Sequence, residues 1–170
     1  MLGSLITSKT RLRMLIKFFV SAANNGYLNG LANEFNESTN SIRKELNNLS
    51  SAGYLLKSKE NNRIVYNANT SHPMCEVLQK IVRQHLGLED IVETVINRIG
   101  DVDQIALTGE YAKGIDSGNI EIVINGLKVN NEYLENIKPK IKRKIGREVS
   151  FFINQKLDSN SIILYKKAIK

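Results

Sequence analysis

The side chains of this 170-residue chain best suited to chemistry cluster between residues 38 and 63. Apolar Ile42, Leu46 and Leu49 repeat at helical intervals, which leaves Thr39, Asn40, Arg43, Lys44 and Asn47 on the other faces of the same helix. From a helix lying in the major groove of a duplex, such hydroxyls, carboxamides and cations reach base edges and phosphates. Arg43 is the candidate base reader, because a guanidinium pairs bidentately with guanine. Ser38 marks the helix start, whose free N–H groups favour phosphate. Lys57, Lys59, Asn61, Asn62 and Arg63 follow and suit phosphates or the minor groove. A second, smaller set is His72, Cys75 and His85. One cysteine and two histidines are too few for a tetrahedral metal site unless subunits share ligands, so no metal and no cofactor is expected. No Ser-His-Asp or Cys-His arrangement and no complete phosphate loop stands out.

The elements that must position these residues follow from the apolar pattern. Leu12, Leu15, Ile16 and Phe19 predict a helix capped by Ser8 or Thr10 and stopped near Asn24-Asn25-Gly26. Leu28, Leu31, Ala32 and Phe35 predict a short second helix, broken at Asn36-Glu37-Ser38. The third helix has Ser38 as N-cap and ends at Gly53. Two β-prone runs around an Asn-rich tip, Glu60-Asn61-Asn62, predict a hairpin. Ser71-His72-Pro73 opens a fourth helix with Pro73 at its first position. Met74, Val77, Leu78, Ile81, Val82 and His85 form its apolar stripe. After Gly87 a further stripe runs through Leu88, Ile91, Val92, Val95, Ile96 and Ile99 to Gly100. Strands are expected at 104–108, 119–125, 147–154 and 162–165. The helix expected at 130–145 buries Tyr133, Leu134, Ile137, Ile141 and Ile145. The expected class is α+β: a domain over 1–86, a connecting helix over 87–102 and a small α/β domain over 103–170.

Helix, short helix, turn, helix, hairpin is the order of a winged helix-turn-helix. Residues 27–56 resemble the bacterial arsenic-repressor-like and multiple-antibiotic-resistance-like regulators. The resemblance sits in Leu31-Ala32, the Ser-rich start of the third helix, Ile42, Leu46 and Leu49, and the exit Ala52, Gly53, Leu55. It spans about residues 5–86 and implies a domain that binds double-stranded DNA and regulates transcription.

The segment TGEYAKGIDSGNIEIVI, residues 108–124, resembles the signature of the nucleotidyltransferase fold. In that family a Gly-Ser turn cradles a triphosphate, and carboxylates on neighbouring strands hold Mg²⁺. Gly109, Tyr111, Ala112, Lys113 and Gly114 keep the turn. Glu110 replaces the serine, and Asn119 and Glu121 fall on the first two metal carboxylates. The third falls near Ser150, with Glu148 as a substitute. The resemblance spans about residues 100–168 and implies a nucleotidyltransferase-like domain without catalysis. Gly109, Glu110, Lys113, Asn119 and Glu121 would then be a vestigial nucleotide site. Lys113, Lys138, Lys140, Lys142, Arg143, Lys144 and Arg147 form a basic patch around the last helix.

Net charge is +7, unevenly distributed. Residues 1–70 hold nine Lys/Arg and four Asp/Glu, residues 71–103 three and six, and residues 104–170 twelve and seven. Two basic lobes flank an acidic middle, and a basic lobe attracts polyanions. Glu37 and Glu45 are expected to soften the field of the third helix. No apolar run approaches the roughly 20 residues of a membrane span, and no signal peptide is read, so the protein is expected to be soluble and cytoplasmic with no membrane partner. The apolar stripes over 74–99 suit a homodimer on a palindromic site, or packing on the second domain. Three functions follow. One is a DNA-binding regulator whose second domain senses a small-molecule or nucleotide effector or contacts a partner. The second is a DNA-tethered nucleotidyltransferase using Glu121 with Glu110 or Glu148. The third is a protein-interaction adaptor that touches no nucleic acid.

Overall fold

A computed structural model describes residues 2–168 as a mixed α+β chain with one three-stranded and one four-stranded sheet. It divides into two compact units, Met1–His85 and Leu86–Lys170, so the segment 87–102 falls within the second.

In the first unit, α1 (Leu2–Leu5) precedes α2 (Lys9–Phe19). Ser8 caps α2 by accepting from the Arg11 amide. The pattern predicted one apolar stripe on α2, but every residue from Met14 to Val20 is buried. This helix is surrounded, packing on both α4 (Thr39–Ser51) and β3 (Arg63–Ala68). Lys17 is carried inside with it and pairs with Glu34 Oε2 at 2.9 Å. The helix stops at Phe19 with Val20 as its C-cap, earlier than the expected stop at Asn24-Asn25-Gly26, and that triplet instead leads into β1 (Asn25–Tyr27), a strand that was not expected. Gly26 explains it: a Cβ there would come within 2.8 Å of Leu31 Cδ2, so its absence lets the backbone close in and pair with β3.

α3 (Leu28–Phe35) ends at Asn36, which takes the left-handed conformation with φ 52°. The Glu37 amide then donates to the Ala32 carbonyl, turning the chain towards α4. Ser38 accepts from the Ser41 amide and starts α4, which buries Ile42, Leu46 and Leu49 as expected. Gly53, at φ 80°, closes it, and the Tyr54 amide reaches back to the Leu49 carbonyl. β2 (Leu55–Glu60) and β3 form the hairpin, with Asn61 and Asn62 both at positive φ. That pair of left-handed residues makes the tight turn whose twist matches the strands. The sheet order is β1-β3-β2.

α5 (Cys75–Leu86) begins two residues later than Pro73 predicted. His72 holds the chain in a turn, since its Nδ1 accepts from the Met74 amide and its carbonyl from the Cys75 amide. Met74 and Val77, expected in the apolar stripe, are 41% and 44% exposed.

In the second unit, α6 (Leu88–Ile96) is followed by β4 (Val102–Thr108), α7 (Gly109–Ala112), β5 (Asn119–Gly126), α8 (Asn131–Ile145), β6 (Glu148–Ile153) and β7 (Ile162–Lys166). The sheet order is β6-β5-β4-β7, antiparallel except for β5 and β6, which α8 joins as a crossover. Ile105, Leu107, Ile120, Ile122, Ile124 and Val149 are buried with Leu134, Ile137 and Ile141 of α8 and Leu88, Ile91 and Val95 of α6. Tyr133 and Ile145, expected inside, are only half-buried; the Tyr133 hydroxyl donates to the Thr94 carbonyl at 3.5 Å.

Candidate nucleic-acid interface

Fixing Ile42, Leu46 and Leu49 in the core leaves Thr39, Asn40, Arg43, Lys44 and Asn47 exposed along α4. Ser38 is also exposed, but its hydroxyl is engaged in capping and meets Ser41 Oγ at 3.0 Å. It therefore shapes the helix start. Asn40 Oδ1 accepts from Arg43 Nη1 at 3.3 Å, which aligns two of the expected readers one turn apart.

Between α4 and the hairpin lies a cleft of about 580 Å³. Arg43, Leu46 and Asn47 line one wall. Lys57, Ile64 and Tyr66 line another, with Asn62 and Arg63 at the hairpin end and Tyr27, Leu28 and Asn29 at the base. Strand register explains the hairpin wall. Lys57 lies opposite Tyr66 and Lys59 opposite Ile64, on the face that also carries buried Leu55 and Ala68. The Lys57 ammonium sits 5.7 Å from the Tyr66 ring centroid, and the Arg63 guanidinium 4.8 Å from that of Tyr27. Tyr27 in turn rests on Gly30, where a Cβ would meet its ring at 2.8 Å. The cleft thus gathers Arg43, Asn47, Lys57, Asn62 and Arg63. Thr39, Asn40, Lys44, Lys59 and Asn61 stand exposed outside its lining. Tyr27 and Tyr66 were not anticipated, because cation–aromatic contacts depend on strand pairing rather than on spacing within one segment.

The acids of this unit are arranged differently from the expectation. Glu45 is not on the open face of α4 but 5% exposed, accepting from Arg11 Nε at 2.9 Å and Nη2 at 3.4 Å. Glu37 accepts from Arg13 Nη1 at 3.2 Å and from the Thr10 hydroxyl. Arg13 Nη1 also donates to the Phe35 carbonyl at 2.8 Å. With Lys17 and Glu34, three of the four acids within residues 1–70 are turned towards α2 and paired there. The fourth, Glu60, accepts from Ser58 Oγ near the hairpin end. Among the described residues Arg43, Lys44, Lys57, Lys59 and Arg63 take part in no ion pair. The expected softening by Glu37 and Glu45 is therefore offset by α2, and among the acids within residues 1–70 it is Glu60, opposite Arg63, that remains beside the cations of α4 and the hairpin.

In the second unit the signature turn is held by Tyr111, which is fully buried. Its hydroxyl donates to Asp116 and accepts from the Gly118 amide at 3.0 Å and Arg147 Nε at 3.1 Å. Burial, then the Asp116 carboxylate, push its pKa up to about 12. Glu121 lies against Gly109, so close that a Cβ on Gly109 would come within 2.7 Å of its carboxylate oxygens. Asn119 Oδ1 accepts from Ser150 Oγ at 3.1 Å, and Glu148 is paired with Lys142. Glu110 and Lys113 are exposed. Several cations of the basic patch are matched locally: Lys138 by Glu135, Lys144 by Asp90 and Arg147 by Asp116.

Cys75 is buried, and burial together with Glu76 raises its thiol pKa, so it is a poor ligand and nucleophile. The His72 ring packs on Tyr54 with centroids 4.6 Å apart. Among the described residues no group of three or more His, Cys, Asp or Glu side chains is placed to hold a metal ion, and no helix is long and apolar enough to cross a membrane.

No protein-family model matches this chain, and no curated protein sequence matches it. Among solved structures it has a distant likeness to the crystal structure of the transcriptional regulator BldR from Sulfolobus solfataricus. That likeness has 15% identity and a TM-score of 0.37, over 85% of this chain and 80% of that one. One so remote decides nothing about what the chain does.

Proposed function

We propose that the first unit is a winged helix-turn-helix that binds double-stranded DNA, with α4 in the major groove and the hairpin as its wing, and that the protein regulates transcription. The observation that supports this is charge segregation at a shaped cleft. Five cations with no ion-pair partner border α4 and the hairpin, while three of the unit's four acids are paired behind them with α2 and only Glu60 stays at the hairpin end. Such a surface releases counterions from a duplex, whereas an adaptor has no use for it. The test is binding of labelled duplexes across a salt series. Affinity should fall steeply with salt, and Arg43→Ala with Lys44→Ala should weaken it at every salt concentration. Retained affinity in that double variant would refute the reading.

We read the second unit as carrying no nucleotidyl transfer. Glu121 fills the space over Gly109 where a phosphate would approach, and Asn119 and Glu148 are already committed to neighbours. Incubation with Mg²⁺ and ATP, GTP, CTP or UTP should give no turnover, and turnover of any of them would overturn this. Two copies on a palindromic site is the assembly we propose. Met74, just before α5, and Val77 on it are the exposed apolar positions that support it. Sedimentation of the unaltered chain should show a dimer, and a monomer at the concentrations used for DNA binding would exclude it.

A further inference from the structure

We propose that Arg11 and Arg13 form a second phosphate-binding strip, on the flank of α4 away from the hairpin; this rests on the duplex-binding reading above. At 100° per residue, Glu45 lies about 200° round α4 from both Arg43 and Asn47, the residues that face the cleft. Arg11, bonded to Glu45, is therefore on the opposite flank from Lys57 and Arg63. Arg13 sits beside the turn between α3 and α4, bonded to Glu37 and the Phe35 carbonyl.

Each pair has its charges layered. The arginine side chains are 45% and 41% exposed, and their carboxylates 7% and 21%. The cation is outside and the anion inside, so a phosphate arriving at contact distance meets the guanidinium first. The guanidiniums also keep donors for it. Arg11 turns Nε and Nη2 to Glu45, which leaves Nη1; Arg13 uses Nη1, which leaves Nε and Nη2. A guanidinium already fixed by a carboxylate loses little further rotamer freedom when it binds, and its planar fork matches a phosphodiester. The ligand class is the duplex backbone, contacted without base selection. With this strip on one side of α4 and the hairpin on the other, the helix is bracketed by cations along both edges of the groove it enters.

A purely structural clamp makes the same hydrogen bonds, so the experiment separates the two. Charge-neutral pairs, Arg11→Gln with Glu45→Gln and Arg13→Gln with Glu37→Gln, remove each ion pair without changing net charge or stranding a buried carboxylate. The probe is a fluorescent random-sequence duplex about three helical turns long, read by anisotropy across a salt series. Each pair should lower the magnitude of the log–log salt slope by about 0.9, and both together by about 1.8. An unchanged slope in pairs whose circular dichroism matches the unaltered chain overturns the strip. If a pair does not fold, arginine-directed dicarbonyl labelling of the unaltered protein decides. The duplex should protect Arg11 and Arg13, and equal labelling with and without duplex overturns the proposal. No salt-dependent binding by the unaltered chain overturns the strip and the duplex reading together. Binding that responds to the hairpin cations but not to these pairs overturns the strip alone.

Discussion

Replacing Lys57, Lys59 and Arg63 together by glutamine isolates the hairpin's share of the interface. All three are exposed and form no ion pair, so the change removes charge with little disturbance of packing. The structural loss is the contact of Lys57 with Tyr66 and of Arg63 with Tyr27, together about 1–2 kcal/mol at exposed sites. A urea midpoint will measure that loss directly. If each cation neutralises one phosphate, the salt slope should fall in magnitude by about 2.7. Between about 50 and 200 mM salt, each phosphate contact contributes a factor of about 3.5, so three contribute about 40-fold. The variant should therefore bind more weakly at low salt and lose about 40-fold less of its affinity over that interval. Anisotropy of a labelled duplex at four or more salt concentrations, well below the urea midpoint, reads both quantities. A slope equal to that of the unaltered chain would show that the hairpin does not touch the backbone, whatever happens to affinity.

Two further outcomes concern the second unit. Tyr111→Phe deprives Asp116, Gly118 and Arg147 of a shared buried partner and should lower stability by about 2–3 kcal/mol, measured by urea unfolding. Because the fold raises this phenol from about 10 to about 12, its contribution is complete below pH 10. It fades as pH rises from 10 through 12, by up to about 2–3 kcal/mol, and the phenylalanine variant should lack that alkaline decline. Gly87→Ala forces a Cβ to 2.3 Å from Ile145 Cγ2 at a backbone φ of 75°, and should cost about 2–4 kcal/mol; a neutral unfolding midpoint would refute the assigned packing of α8 on this bend.

The positions of α3, α4 and the hairpin were legible because their signals are local. Leu31, Ala32 and Phe35, then Ile42, Leu46 and Leu49, repeat at one helical period, and Gly53 and Asn61-Asn62 punctuate the chain where left-handed backbone is needed. β1 was missed because a three-residue strand has no period, and its pairing depends on how closely Gly26 can approach Leu31. The orientation of Glu45 was missed for a related reason. A glutamate on a polar helix reads as solvent-facing, and its burial requires Arg11, 34 positions earlier. Met74 and Val77 show the converse error: their spacing is amphipathic, but α5 begins too late to turn Met74 inward, and Val77 stays exposed. In the second unit the strands were legible as apolar runs. That Glu121 covers Gly109 was not, since it arises from the β4–β5 register.

β2 is the outer strand of its sheet, paired only with β3, so one side of its backbone is open. An open strand edge is a template for adding further chains, and lysines are among the residues that discourage it. On Leu55–Glu60 that protection falls to Lys57 and Lys59, next to half-exposed Leu56. The same two ammonium groups that would meet a duplex therefore also keep copies of this hairpin from stacking into aggregates. Drift that abolished the proposed duplex binding would still be resisted at these two positions, and any hydrophobic replacement there should show first as lost solubility.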